Sequence, residues 1–393
     1  MVSLDGYRAL FASPHVGATL GASVVGRLPI GIAGLSILLF VQARSNSFVA
    51  AGTASALYVL GLGLVAPFLG RLIDRLGPRL VLTTCGFLYP AALIALALLV
   101  LNSAHAVLVG AAALFAGATL PPVTPCMRAL YTRLVLDPAL LHTAYSVDSA
   151  VVEAVFILGP ALVAACVAAG RPEAAVFLAA ISAAVGSQTF ARAHAVKGWS
   201  GTISRGHQSW FGVLTLPMLL VVFGVTLLYS VAFGLFEVAV TAHAAEKGSS
   251  ATAGIALALA SVGSGAAALI YGARRWNAPL ARQFVLALSA MAAGIAVLVP
   301  IDNLALYAGA CIISGIPMAT VISTQSSLIA HYAPRDRLGE SFTWGSTCLL
   351  TGISGGIALG GVLAEAFSAH WLLVAAVGMT AAAAVISAAL LKH

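Results

Sequence analysis

The chain has 393 residues, of which 61% are hydrophobic and 8% charged, with a net charge of +7 and a mean hydropathy of +1.04. A water-soluble globule carries roughly 25% charged residues to solvate its surface, so this composition excludes one and makes hydrocarbon the main solvent. Its apolar runs are continuous rather than alternating, which excludes a barrel and leaves helices whose backbone groups are satisfied within each segment. The positive charges are scattered through short connections with no basic face, so no nucleic-acid partner is expected.

A spanning helix needs about 20 predominantly apolar residues. The first such run, 16–42, follows the acidic Asp5, is too long for a signal peptide and lacks a clean cleavage site. It carries Arg27, followed by Leu28-Pro29, about 16 Å into the helix at 1.5 Å per residue and beyond easy snorkelling. An arginine at that depth needs a cavity or a carboxylate. It is either an anion-binding or coupling residue or half of a structural ion pair. The second run is 48–70, and the third is 80–101. Between them the chain reads Gly70-Arg71-Leu72-Ile73-Asp74-Arg75-Leu76-Gly77-Pro78-Arg79-Leu80-Val81-Leu82.

This segment closely resembles the signature loop of the major facilitator superfamily, of form G-x-L-x-D-R-x-G-x-R-x-x-L, and it lies where that family carries it. The resemblance implies an all-α integral membrane fold of twelve transmembrane helices in two six-helix halves, with both termini cytoplasmic, that alternates access around a central site. It also implies a bacterial transporter, of the kind that includes drug/proton antiporters. Gly70 and Gly77 would permit a tight turn between helices. Asp74 can face the positive N-terminal end of a helix from the other half, worth about 0.3–2 kcal/mol; the resemblance makes that helix the eleventh span, beginning near Ser341. Arg75 and Arg79 can bridge carboxylates, with Asp148 a candidate. Together these residues would latch the halves on the inner side. The alternative is that they are solvated loop charges obeying the orientation rule.

The fourth run, 104–127, holds Pro121, Pro122 and Pro125, with Gly117 before and Arg128 after them. Lost backbone donors bend such a helix and favour a cavity-facing position. The fifth, 144–169, carries Asp148 in its first turn, where the helix dipole favours a carboxylate and a structural role in the latch. It also carries Glu153, the first choice for a protonation site, or else the partner that neutralises Arg27. Further along, Gly159-Pro160 partly resembles the family's antiporter motif. Val155, Val163 and Ala164 stand where that motif has glycines, so a proline kink explains the pair nearly as well. The sixth run is 173–191. The longest polar interval, 192–210, then divides residues 1–191 from 211–393.

The seventh run, 211–241, holds Tyr229 and Glu237; the latter is a candidate for substrate or proton binding, or an interfacial group. The eighth and ninth are 251–272 and 282–301. The tenth, 303–329, carries Thr324 and Gln325, and the eleventh, 341–366, carries Trp344. With Tyr229 these are candidates to line a cavity, or else interhelical hydrogen-bonders and core aromatics. Gly352, Gly356 and Gly360 form a flat face on the eleventh run for close helix packing, a structural stripe that could also allow sliding against the second span. The twelfth is 369–391. Sliding the sequence by 197 places Tyr145-Ser146 over Phe342-Thr343 and Gly159 over Gly356, a weak internal match.

With the N-terminus inside, fifteen of nineteen Lys and Arg fall on the cytoplasmic side: Arg8, Arg71, Arg75, Arg79, Arg128, Arg133, Arg192, Lys197, Arg205, Arg274, Arg275, Arg282, Arg335, Arg337 and Lys392. Arg44, Arg171 and Lys247 fall outside, and Arg27 lies within a span. The five cysteines sit in apolar runs without CxxC spacing, and the histidines are dispersed, so neither disulfides nor a metal site is expected. No GxxxxGK[ST] loop occurs, which disfavours direct ATP drive. The expectation is a monomeric, multi-pass transporter of the bacterial inner membrane. It needs no cofactor beyond a proton gradient and exports an amphiphilic or drug-like molecule, or imports a small organic anion. A membrane enzyme or sensor is the competing class, disfavoured because no cluster of catalytic residues gathers at one interface.

Overall fold

Long runs of Ala, Leu, Val and Ile with few breakers favour helix wherever the backbone must satisfy itself, and helices dominate the chain. The computed structural model describes residues 5–12, 15–45, 47–199, 212–247, 250–274, 276–366 and 368–391. In chain order its α-helices are α1 (Asp5–Ala12), α2 (Val16–Ser45), α3 (Phe48–Leu76), α4 (Pro78–Leu101), α5 (Ala106–Ala118), α6 (Val123–Leu134), α7 (Pro138–Ala168) and α8 (Pro172–Arg192). Then come α9 (His194–Lys197), α10 (Pro217–Glu246), α11 (Ser250–Gly272), α12 (Leu280–Ala296), α13 (Leu304–Tyr332), α14 (Leu338–Ala366) and α15 (Ala369–Leu390). Among the described residues there is no strand. The connection at 192–210 falls largely outside the described residues, with Arg205 and His207, as do Arg275 and Lys392.

Among the described residues, eleven stretches are long and apolar enough to cross a membrane, counting α5 and α6 as one. The expected run at 282–301 is shorter than that: α12 ends at Ala296, and the next residues continue in tight turns in which Leu298 and Val299 donate three residues back. Pro300 accounts for the ending, because it has no N–H to donate to the Ala296 carbonyl four residues back and its ring crowds that carbonyl. The fourth run is broken where its prolines fall, with α5 capped at Thr119 and α6 starting after Pro122. By contrast α7 runs unbroken through Pro160.

Large apolar side chains cover the outside, among them Phe87 at 64% exposure and Val362 at 70%. A soluble monomer does not carry such a surface, whereas lipid accepts it. Many buried hydroxyls satisfy themselves on the carbonyl four residues back, as Thr226, Ser230 and Thr380 do, so they burden the interior little.

Helix α2 packs against α7 and α8, and α3 against α5; α10 packs against α14 and α15, and α11 against α13. Two seams join these groups, α3 with α14 and α7 with α11 and α13. The glycine stripe of α14 serves close helix packing as expected, but against α10 rather than α3. A Cβ on Gly352 would come 2.7 Å from Leu227 O, and one on Gly356 would come 2.1 Å from Val231 O, so the stripe is the bed of α10. Gly159 occupies the corresponding place in α7, where a Cβ would sit 2.5 Å from the backbone of Gly31 in α2.

Candidate functional site: a charged centre, a carboxylate pair and a seam

Arg27 of α2, Arg128 of α6 and Asp148 of α7 meet in the interior at 1%, 5% and 0% exposure. Arg27 Nη2 donates to Asp148 Oδ1 at 2.5 Å, and Arg128 Nε donates to Oδ2 at 2.7 Å. One carboxylate therefore balances two guanidinium groups. Arg27 keeps two buried nitrogens, Nε and Nη1, without a partner among the described residues. Tyr131, whose buried hydroxyl also lacks a partner, lies within electrostatic reach of all three residues. A positive centre with unmet donors is fitted to hold an anion, because buried charge without a counter-charge is costly.

This geometry corrects three expectations. Asp148 does not join a surface latch with Arg75 and Arg79: it is wholly buried, while both arginines are exposed and make no ion pair among the described residues. Arg27 is not neutralised by Glu153 but by Asp148, five residues earlier on α7. Arg128, counted above as a cytoplasmic loop charge, is a buried member of the centre. The break at 119–122 restarts the chain as α6, whose residues 123–131 are all buried.

Glu153 lies half-buried midway along α7. Its Oε1 accepts a hydrogen bond from Ser264 Oγ of α11 at 2.9 Å, and that same hydroxyl accepts from Ala319 N of α13 at 2.9 Å. Glu153 is thereby tied across a seam to two helices. Glu237 of α10 is half-buried and within electrostatic reach of Glu153.

At the α3–α14 seam, Asp74 Oδ1 accepts from Gly339 N at 2.9 Å and Oδ2 from Glu340 N at 2.7 Å. These are unsatisfied donors of the first turn of α14, and a carboxylate there also meets the positive end of the helix dipole. Gly339 allows the approach, since a Cβ on it would fall 2.7 Å from Asp74 Oδ1. Beside it Arg71 donates Nη2 and Nε to Glu340 Oε1 at 2.8 and 2.9 Å. Gly77 makes the turn between α3 and α4 with φ of +85°. Gly70 makes no turn: it is inside α3, where a Cβ would lie 2.5 Å from Thr343 Oγ1, so its role is close approach to α14. At the α7–α11 seam Thr143 Oγ1 donates to Gly272 O at 2.7 Å, Tyr7 donates its hydroxyl to Leu269 O, and Ser146 meets Ser323 of α13 at 3.1 Å.

Of the four expected cavity residues, Trp344 lines the cavity between α2, α3 and α14. Tyr229 donates to the side-chain carbonyl of Gln325, and buried Thr324 donates to Thr320 O and Val321 O of its own helix. These bonds run within α10 and α13. The sequence reading missed Arg71, Glu340 and Ser264. Arg71 stands inside the quoted motif, whereas Ser264 carries no local signal that separates it from other serines of an apolar helix.

The model of the Major Facilitator Superfamily matches residues 19–349. No curated protein matches the sequence. Among solved structures the chain is similar to a bacterial homologue of the iron transporter ferroportin in an outward-facing state, at 14% identity and a TM-score of 0.79, covering 95% of this chain and 98% of that one. It is also similar to the human organic anion transporter MFSD10, at 15% identity and 0.76, covering 95% and 99%. A third similar structure is the proton:xylose symporter XylE bound to 6-bromo-6-deoxy-D-glucose, at 12% and 0.74, covering 98% and 96%. The chain is a multi-pass membrane protein of the major facilitator superfamily, a transporter rather than an enzyme.

Proposed function

We propose that this chain is a proton-coupled secondary active transporter of the bacterial inner membrane that moves a small amphiphilic solute outward by alternating access. One observation carries the coupling. Glu153 accepts the Ser264 hydrogen bond across a seam whose helices must part when access alternates. Neutralising that carboxylate converts a charge-assisted hydrogen bond into a weaker one, so proton uptake favours parting of α7 from α11. Glu237 supplies a second carboxylate whose occupancy bears on the first. In this reading the face bearing the α3–α4 turn is cytoplasmic, the Asp74 seam closes the inside, and the monomer suffices. A second reading, uptake of a small organic anion, is favoured by the excess of Arg27 and Arg128 over Asp148.

The test is substrate-driven proton movement in liposomes, comparing the native protein with Glu153→Gln and Arg27→Ala. Loss of coupled proton flux in Glu153→Gln is expected, with substrate binding retained. Full coupling in both variants overturns the assignment. Accumulation in inverted against right-side-out vesicles decides the direction.

A further inference from the structure

Between α2, α3 and α14 lies a cavity of about 870 Å³, a volume in the range that holds a drug-sized ligand. Its α3 wall is apolar, formed by Leu60, Leu64 and Phe68. Its α14 wall carries Trp344, Thr347, Thr351 and Ser354, and the indole Nε1 of Trp344 and the hydroxyl of Thr347 are buried without a partner among the described residues. An indole N–H can only donate, so it asks for an acceptor on whatever fills the cavity. Arg71 also lines the cavity, at the end nearest the Asp74 seam, and it is the residue that pairs with Glu340 across that seam.

These features select a ligand chemistry. A sugar would set hydroxyls against an α3 wall whose one hydroxyl, that of Ser55, already donates to Gly34 O. A plain hydrocarbon would leave the Trp344 N–H unmet. A cation would meet Arg71. What fits is an apolar body with an acceptor and a negative charge at one end. A guanidinium offers a planar fork that a carboxylate or phosphate engages with two parallel bonds, whereas Glu340 presents one oxygen to both Arg71 donors.

We propose that the α3–α14 cavity binds an amphiphile with an acidic head, and that the head takes Arg71 from Glu340 and so loosens the seam that the same pair holds shut. Binding and opening are then one exchange of partners: the ligand's carboxylate or phosphate replaces the Glu340 carboxylate on Arg71, and the released Glu340 carboxylate is hydrated as the seam parts. The occupant is either a free amphiphile or an anionic lipid entering between the helices. The transport reading above gives this exchange its purpose, but the site itself is tested without it.

The experiment measures saturable binding of dodecanoate, dodecanol and dodecyltrimethylammonium to the full chain in phosphatidylcholine nanodiscs. Dodecanoate is expected to bind at least about tenfold more tightly than dodecanol, the worth of one charge-assisted bond. Glu340→Gln removes the competitor and should tighten dodecanoate several-fold with dodecanol unchanged. Trp344→Phe, which keeps the ring and the fold, should weaken dodecanoate and leave dodecyltrimethylammonium where it was. Equal binding of dodecanoate and dodecanol, or no change in Kd for dodecanoate in both variants, overturns the proposal. Discs containing phosphatidylglycerol separate the sources: competition with dodecanoate identifies a lipid headgroup, and its absence identifies a free amphiphile, each with the acidic-head chemistry intact. Should dodecanoate bind as expected while liposomes move no protons, the coupling reading fails and the site stands.

Discussion

Asp148 holds two arginines with one carboxylate, and that imbalance predicts an order of tolerance at the residue scale. Asp148→Asn leaves two guanidinium groups facing each other away from water, and should cost about 3–5 kcal/mol. Arg27→Met leaves Asp148 and Arg128 paired one to one, so its cost should be smaller. Thermal melting of the purified variants in detergent checks this, and a reversed order would mean that the centre carries no excess positive charge. Composition announced that Arg27 needed a partner, because an arginine at that depth cannot reach either surface. It did not name Asp148 over Glu153, since the two lie five residues apart on one helix, and the choice depends on which face of α7 meets α2.

At the scale of the element, the glycines of α7 and α14 serve contact between backbones rather than turns. Gly159 lies on Gly31 with no side chain between them that could move aside, so Gly159→Val forces the two helices apart. The expected loss is about 1–3 kcal/mol or more, read as reduced yield and melting temperature. Gly361 on α14 has nothing within 4 Å of a built Cβ, and Gly361→Ala should be neutral or slightly stabilising in the same assay. Comparable losses in both would show that α2 and α7 do not pack as described. The glycine stripe of α14 was visible as a spacing of four, but a stripe says only that something packs closely there. That the neighbour is α10 and not α3 follows from the handedness and tilt of the whole bundle.

For the whole molecule, the two seams have counterpart parts. Gly70 meets Thr343 across one and Gly272 meets Ser146 across the other, where a Cβ on Gly272 would fall 2.5 Å from Ser146 Cβ. The weak sequence match had placed Ser146 over Thr343. The seams differ in chemistry. The first closes on Asp74, Arg71 and Glu340, whereas the end of the second closes on the neutral groups Thr143, Tyr7, Ser146 and Ser323, its carboxylate Glu153 lying further along α7 on Ser264. Losing the Asp74 charge should therefore open the first seam and spare the second. Asp74→Asn, with spin labels at Arg75→Cys and Arg335→Cys on a background free of native cysteines, is expected to lengthen and broaden the distance between the ends of α3 and α14. An unchanged distribution would mean that the carboxylate does not hold this seam.

Solvent and local order were legible in the sequence alone. A chain with 8% charged residues cannot clothe itself for water, proline and glycine punctuate helices wherever they fall, and a thirteen-residue motif places a carboxylate just before a glycine turn. Each of these is a property of neighbours along the chain. Which charges pair was decided only by tertiary structure, because Arg27 and Asp148 are 121 residues apart, and Arg71 and Glu340 are 269 apart. Arg128 shows the difference most plainly: by position it reads as a loop charge, and it becomes part of a buried centre only because α6 restarts after the prolines and packs against α2 and α7. Partners so distant are chosen by the rotation of each helix about its axis, a few tens of degrees of which turn a side chain from lipid to cavity, and hydropathy does not record that angle.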